Sequence, residues 1–186
     1  QMHPKLPGLV ADLGAPFADR HPIDTQVGVQ ALGLLRQALV LEQGLVPFQA
    51  RTSDQVAAIR KGGYVLSEAD GGKPQAVILA TGSEVALAMA AQKTLAEKGI
   101  AVRVVSMPSN FMFDQQDKAY RDSVLPVGVP RVAVEAGATG GWYRYVGLDG
   151  AVIGIDRFGE CGPAGKVFEF LGITAAKVAE AVEGVI

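Results

Sequence analysis

The stretch "AVILATGSEVALAMAAQKTLAEKGIAVRVVS", residues 76–106, decides the fold. Its first five residues, Ala76 to Ala80, are all apolar, and a Thr-Gly-Ser turn separates them from a segment with helical periodicity. Between Ser83 and Lys98, the apolar residues Val85, Ala88, Met89, Leu95 and Ala96 are assigned to one helix face. Gln92, Lys93 and Glu97 are available to the other. Gly99 is placed to end the helix, since glycine closes a last turn in the left-handed conformation without a Cβ clash. The run Ile100 to Ser106 then reads as a second strand. Strand, helix and strand within about 30 residues have the length of a βαβ unit, for which parallel pairing and a right-handed crossover are expected.

The same alternation extends to both sides. After Pro47, Thr52 and Gln55 have the spacing of a capping box, Val56 and Ile59 give a helical stripe, and Gly62 is placed to stop that helix. Tyr64-Val65-Leu66 reads as a strand and "SEADGGKPQ" as a turn. Downstream, the pattern predicts a short helix after Asp114, a strand in "RVAVEA", a glycine turn, a helix near Trp142 to Val146 and a strand in "AVIGI". Two helices follow, one near Lys166 to Leu171 and one from a Thr174 cap to Val182. Strands that are apolar nearly throughout belong in a sheet covered on both faces. The expected fold is therefore α/β, a three-layer sandwich around a mostly parallel (mixed) open sheet over residues 47–186. Residues 1–24 carry four prolines and two glycines and read as loop or linker. Residues 26–45 read as one weakened helix, or as a helix followed by a strand.

Composition bounds the partners. The chain has 186 residues and a formal net charge of −2 from 17 basic and 19 acidic side chains, which gives no electrostatic reason to expect nucleic acid or an anionic membrane. The single cysteine, Cys161, allows no intrachain disulfide and no four-thiolate metal site, and it fits a reducing, cytoplasmic setting. No apolar run approaches the ~20 residues needed to span a bilayer. The chain does not begin with Met, so an internal piece of a longer polypeptide is expected.

The chemistry-bearing residues are sparse. Thr81, Gly82 and Ser83 form a strand-to-helix turn of the kind that can hold an anion, since N–H groups at a helix start lack partners. The turn has one glycine, however, and lacks both the G-x-G-x-x-G and the G-x-x-x-x-G-K-[ST] patterns. Thr81 and Glu84 also have capping-box spacing, which would use those donors internally and set a carboxylate where the anion would sit. Capping is the preferred reading. Cys161 in "FGECGPAG" has Arg157 and Lys166 near it in sequence but no histidine, since His3 and His21 lie in the N-terminal segment. A small buried or half-buried thiol is expected there rather than a nucleophile. Glu135, Asp149, Asp156 and Glu160 fall at or near strand ends, where open α/β sheets bind ligands, and are candidate site carboxylates, with solvated loop positions the preferred reading. Trp142, Tyr143, Arg144 and Tyr145 are expected to divide between core and interface.

The segments "RTSDQVAAIRKGGYVL", "ILATGSEVALAMAA", "VRVVSMPS", "YRDSVLP", "RVAVEAG", "WYRYVGLDGAVIGIDRFGE" and "PAGKVFEFLGITAAKV" occur in an order and spacing that resemble the C-terminal domain of bacterial transketolases. The resemblance runs from about Pro47 to Ile186. It implies an enzyme of three domains that uses thiamine diphosphate and Mg²⁺ to move two-carbon ketol units between sugar phosphates in the pentose phosphate pathway. It further implies a homodimer in which this third domain contacts the remaining domains and holds no cofactor itself. The family's GDG…N motif, cofactor-activating glutamate and active-site histidines have no counterparts here, so no catalytic, cofactor-binding or metal-binding residue is carried over. A phosphate-binding arginine that precedes the third domain in the family falls at Gln43. Residues 1–46 do not resemble the family's second domain. Cys161 stands where the family usually has no thiol.

Overall fold

The computed structural model describes residues 51–186. The readings of 1–24 as linker and of 26–45 as helical, and the positions of His3, His21 and Gln43, lie outside the described residues.

The first described helix, α1 (Ser53–Arg60), starts as its sequence requires. Gln55 N–H donates to Thr52 Oγ1 at 3.2 Å, and Thr52 N–H donates to Gln55 Oε1 at 2.9 Å, completing the capping box. Gly62, at φ 85°, turns the chain into β1 (Tyr64–Ser67). An added Cβ there would meet the Ser109 carbonyl oxygen at 2.3 Å, so both the dihedral and the close approach require glycine.

Strands β2 (Ala76–Ala80), β3 (Val102–Ser106), β4 (Arg131–Val134) and β5 (Ala151–Ile153) complete a five-stranded sheet of order β1-β3-β2-β4-β5. Its β2–β3, β2–β4 and β4–β5 pairs are parallel, and β1 joins β3 antiparallel with a register shift between Val65 and Ser67. The fold is thus α/β with a mixed, mostly parallel sheet, as the alternation predicted.

Side-chain alternation explains why the strands are apolar throughout. Ala76, Ile78, Ala80, Val102, Val104, Val132 and Val134 point to one face, and Val77, Leu79, Val105 and Ala133 to the other. The first face is covered by α2 (Val85–Glu97) and α7 (Ala175–Val185), with Phe168 and Leu171 of α6 (Ala164–Leu171) packed alongside. The second is covered by α3 (Asn110–Asp114), α4 (Lys118–Val124) and α5 (Tyr143–Val146), through Phe113, Val124 and Tyr145. Ile78 and Leu79 are wholly buried on opposite faces, each removal from water worth about 1.5–3 kcal/mol.

Three local expectations change. The buried stripe of α2 is Ala88, Ala91 and Leu95, whereas Met89 and Ala96 are exposed, because the sheet meets the helix about one residue out of phase with the apolar count. Gln92 lies half-buried and donates to the carbonyls of Val102 and Glu68. Two short helices, not one, connect β3 to β4, since Ser109 Oγ accepts from Met112 N–H and starts an additional turn at Asn110. At the other end of the chain, Thr174 caps α7 as expected, its hydroxyl accepting from Lys177 N–H.

Candidate functional site

Strand order fixes where a site can form. From β2 the chain crosses to β3 on one side, and from β4 it passes to β5 on the other, so the loops after the adjacent strands β2 and β4 diverge. That divergence opens a crevice at the carboxyl ends of the two strands, the usual ligand position in open α/β sheets.

Thr81, Gly82 and Ser83 leave β2 into this crevice. Gly82, at φ 55°, turns the chain into a single 3-10 turn, Gly82–Glu84, and α2 begins only at Val85. The capping box expected between Thr81 and Glu84 does not form. Thr81 makes no side-chain cap bond, and its carbonyl accepts from Glu84 N–H at 3.2 Å. The 3-10 geometry tucks Glu84 inward until only 3% of it is exposed, and Ser83 Oγ donates to its Oε1 at 2.8 Å.

Across the crevice, Glu135 follows the last residue of β4. Its Oε2 is buried and has no hydrogen-bond partner among the described residues. Burial pushes the Glu135 carboxyl above the usual carboxylate range, and the charge of Glu84 pushes it further in the same direction. The two loops beyond are clasped together. Thr139 donates to Asp156 twice, from N–H at 2.9 Å and from Oγ1 at 2.7 Å, and these bonds hold the exposed Asp156 below its ordinary range. Ile155 N–H donates to the Gly137 carbonyl at 2.7 Å. Gly154 makes this approach possible, since a Cβ there would lie 2.7 Å from that carbonyl oxygen and 2.9 Å from Thr139 Cγ2.

Two carboxyl groups, one buried and one half-buried, act on one another electrostatically here and oppose an anion at Thr81, Gly82 and Ser83. Among the described residues, no three His, Cys, Asp or Glu side chains are grouped to hold a metal ion.

The structure brings Glu135 and Asp156 to the crevice but not the other two candidate carboxylates. Asp149 lies in the turn ahead of β5, at the opposite end of the sheet, and Glu160 is exposed in the segment after it. Cys161 departs from expectation. It is exposed rather than buried or half-buried, because residues 154–163 form no helix or strand that would carry it inward. Trp142 and Tyr145 are buried with ring centroids 6.1 Å apart, as expected of the core members of this group, while Tyr143 and Arg144 are exposed. Sequence reasoning missed the electrostatic influence of Glu84 on Glu135, since residues so far apart come near one another only because β2 and β4 are neighbours.

The family model described as a transketolase-like C-terminal domain matches residues 62–174. Transketolase 1 of Vibrio vulnificus (strain YJ016) is 50% identical over 142 residues, which cover 76% of this chain and 21% of that protein. A solved transketolase from Pichia stipitis, in complex with sedoheptulose-7-phosphate, matches with a TM-score of 0.66 at 40% identity, covering 75% of this chain and 20% of its own. A split-gene transketolase described as an inactive beta4 tetramer matches with a TM-score of 0.53 at 28% identity, covering 68% of this chain and 42% of its own. The chain spans about a fifth of the length of the curated relatives it matches. Among the described residues, no helix is long and apolar enough to cross a membrane.

Proposed function

The chain belongs to the family of transketolase C-terminal domains, and from that membership we propose that it serves as the noncatalytic third domain of a transketolase. The parent enzyme transfers two-carbon ketol units between sugar phosphates in the cytoplasm, with thiamine diphosphate and Mg²⁺ bound by its other domains. This domain contributes packing, subunit contact in a homodimer, or regulation. The observation that carries the reading is coverage, since the matched relatives extend about five times further than the matched segment.

The crevice at the strand ends does not fit the cofactor. A Mg²⁺-diphosphate group needs oxygen ligands for the metal and cationic or N–H donors for the phosphates. The crevice at the strand ends offers two carboxylates and no grouped third ligand, and its charge opposes a diphosphate. No step of the reaction is therefore assigned to the crevice. The division into a segment 1–46 and a domain 47–186, and the correspondence of Gln43 to a family arginine, belong to the same proposal. An anion at Thr81, Gly82 and Ser83 is a narrower proposal, against which Glu84 and Glu135 stand.

The test is to assay the 186-residue chain for ketol transfer and for thiamine diphosphate binding by calorimetry. No turnover and no binding are expected. Appreciable turnover, or micromolar affinity for the cofactor, would overturn the assignment.

A further inference from the structure

At the end of the sheet where β4 begins, far from the crevice, a cavity of about 160 Å³ opens among α3, α4, α5 and Arg131. Three guanidinium groups, Arg121, Arg131 and Arg144, line it together with Asp114 and Asp122.

The charges do not cancel. Asp114 is committed to Arg144, whose Nη1 lies 3.0 Å from its Oδ2, and it also accepts from the Tyr145 hydroxyl at 3.1 Å. Asp122 is committed to Lys118, one turn earlier on α4. Arg121 and Arg131 are left with no carboxylate in ion-pair contact among the described residues. Arg121 makes one long hydrogen bond, 3.4 Å, to the Asp114 carbonyl. Arg131 is held in place by three neutral acceptors, the carbonyls of Tyr145 at 2.8 Å and of Leu125 and Pro126 at 3.0 Å. Its Nε is buried and finds no acceptor. Both guanidiniums are half-buried, so water screens them incompletely.

The geometry points to a binding site for a small phosphoryl dianion in this cavity, held between Arg121 and the pre-positioned Arg131. Three guanidiniums against two carboxylates leave the lining net positive, with Asp122 acting on Arg131 only from beyond ion-pair contact, and the planar fork of Arg121 matches phosphoryl oxygens better than an ammonium group does. A cavity of about 150 Å³ holds benzene, so this one has room for a phosphate with a short substituent. The site is independent of the Thr81 turn and of the proposed domain role.

Inorganic phosphate and glycerol 3-phosphate are titrated separately into the 186-residue chain at low ionic strength, with binding read by calorimetry. Saturable binding is expected, and Arg121→Gln should weaken it at least tenfold, since this side chain supports little of the fold. Asp122→Asn, which removes a lining carboxylate, should tighten it. Ser83→Glu, at the opposite end of the sheet, should leave it unchanged. Tighter binding of the ester identifies a phosphorylated metabolite as the ligand, and tighter binding of inorganic phosphate identifies the free ion. No saturation by either anion up to about 10 mM, or equal affinity in Arg121→Gln, overturns the proposal. So does loss of binding in Ser83→Glu alone.

Discussion

Arg103, inside the buried strand β3, grips Glu68 with two parallel hydrogen bonds, Nε to Oε1 at 2.9 Å and Nη2 to Oε2 at 2.8 Å. Its remaining nitrogen, Nη1, donates to the carbonyls of Ser123 and Val124, so the guanidinium ties the β1–β2 connection to the end of α4. The bidentate contact holds the Glu68 carboxyl below its ordinary value of 4.5. A carboxyl depressed by folding stabilises the fold at pH values above its unfolded pKa, and that contribution is lost as pH falls through the lower folded value. Glu68→Gln should therefore cost about 1 kcal/mol at pH 7, a modest figure because the carboxylate is partly solvated. At a pH below the folded value it should cost close to nothing. Urea denaturation at both pH values measures the difference, and an equal cost at each would contradict the role assigned to the ion pair.

The opposite sign applies at Glu135, whose carboxyl burial and Glu84 raise above 4.5. The protonated form fits the folded state better, so stability falls as pH rises from the unfolded value through the folded one. Glu135→Gln should gain stability relative to the parent protein between pH 4 and pH 7. Denaturant midpoints at the two pH values decide it, since a pH-independent difference would show that folding does not raise the Glu135 carboxyl.

The phase of α2 is testable by truncation. Leu95 is wholly buried, and Leu95→Ala should cost about 2–5 kcal/mol through lost transfer energy and a residual cavity. Met89 is 37% exposed, and Met89→Ala should cost less than about 1 kcal/mol. Comparable losses from the two would restore the phase read from the apolar count.

At the clasp between the loops, Gly154→Ala places a methyl group 2.7 Å from the Gly137 carbonyl oxygen. The loops must part to admit it, at a cost of about 1–3 kcal/mol. Amide exchange at Thr139 and Ile155 should accelerate more than exchange at Val132 on the buried strand. Unchanged protection at Thr139 would mean that the clasp opens without the substitution.

Much of this architecture was legible because its signals are local. Five apolar residues set β2, Gly99 closes α2, and Thr52 and Thr174 announce α1 and α7. The phase of α2 was harder to read, since alanines at 86, 88, 90, 91 and 96 fit almost any face and Met89 drew the stripe away from Ala91. The helix at Asn110 is a single turn whose only sign is the hydroxyl of Ser109. The two charge relationships escaped for another reason. Glu84 acts on Glu135, and Arg121 and Arg131 line one cavity, only after strand order brings distant loops together, and no periodicity in the chain encodes that order. Arg103 can sit inside an apolar strand because Glu68, in the connection after β1, holds its guanidinium, and that connection is one the sequence leaves unplaced.

The register shift between Val65 and Ser67 on β1 concerns association as well as folding. A bulge on an edge strand twists its free N–H and C=O groups out of line, and a neighbouring chain then finds no straight row to pair with. The other edge, β5, is only three residues long. Blunted at both margins, the sheet is a poor template for edge-to-edge growth into fibres, so this domain can present its loops and helix faces to other polypeptides while its strands stay closed to them.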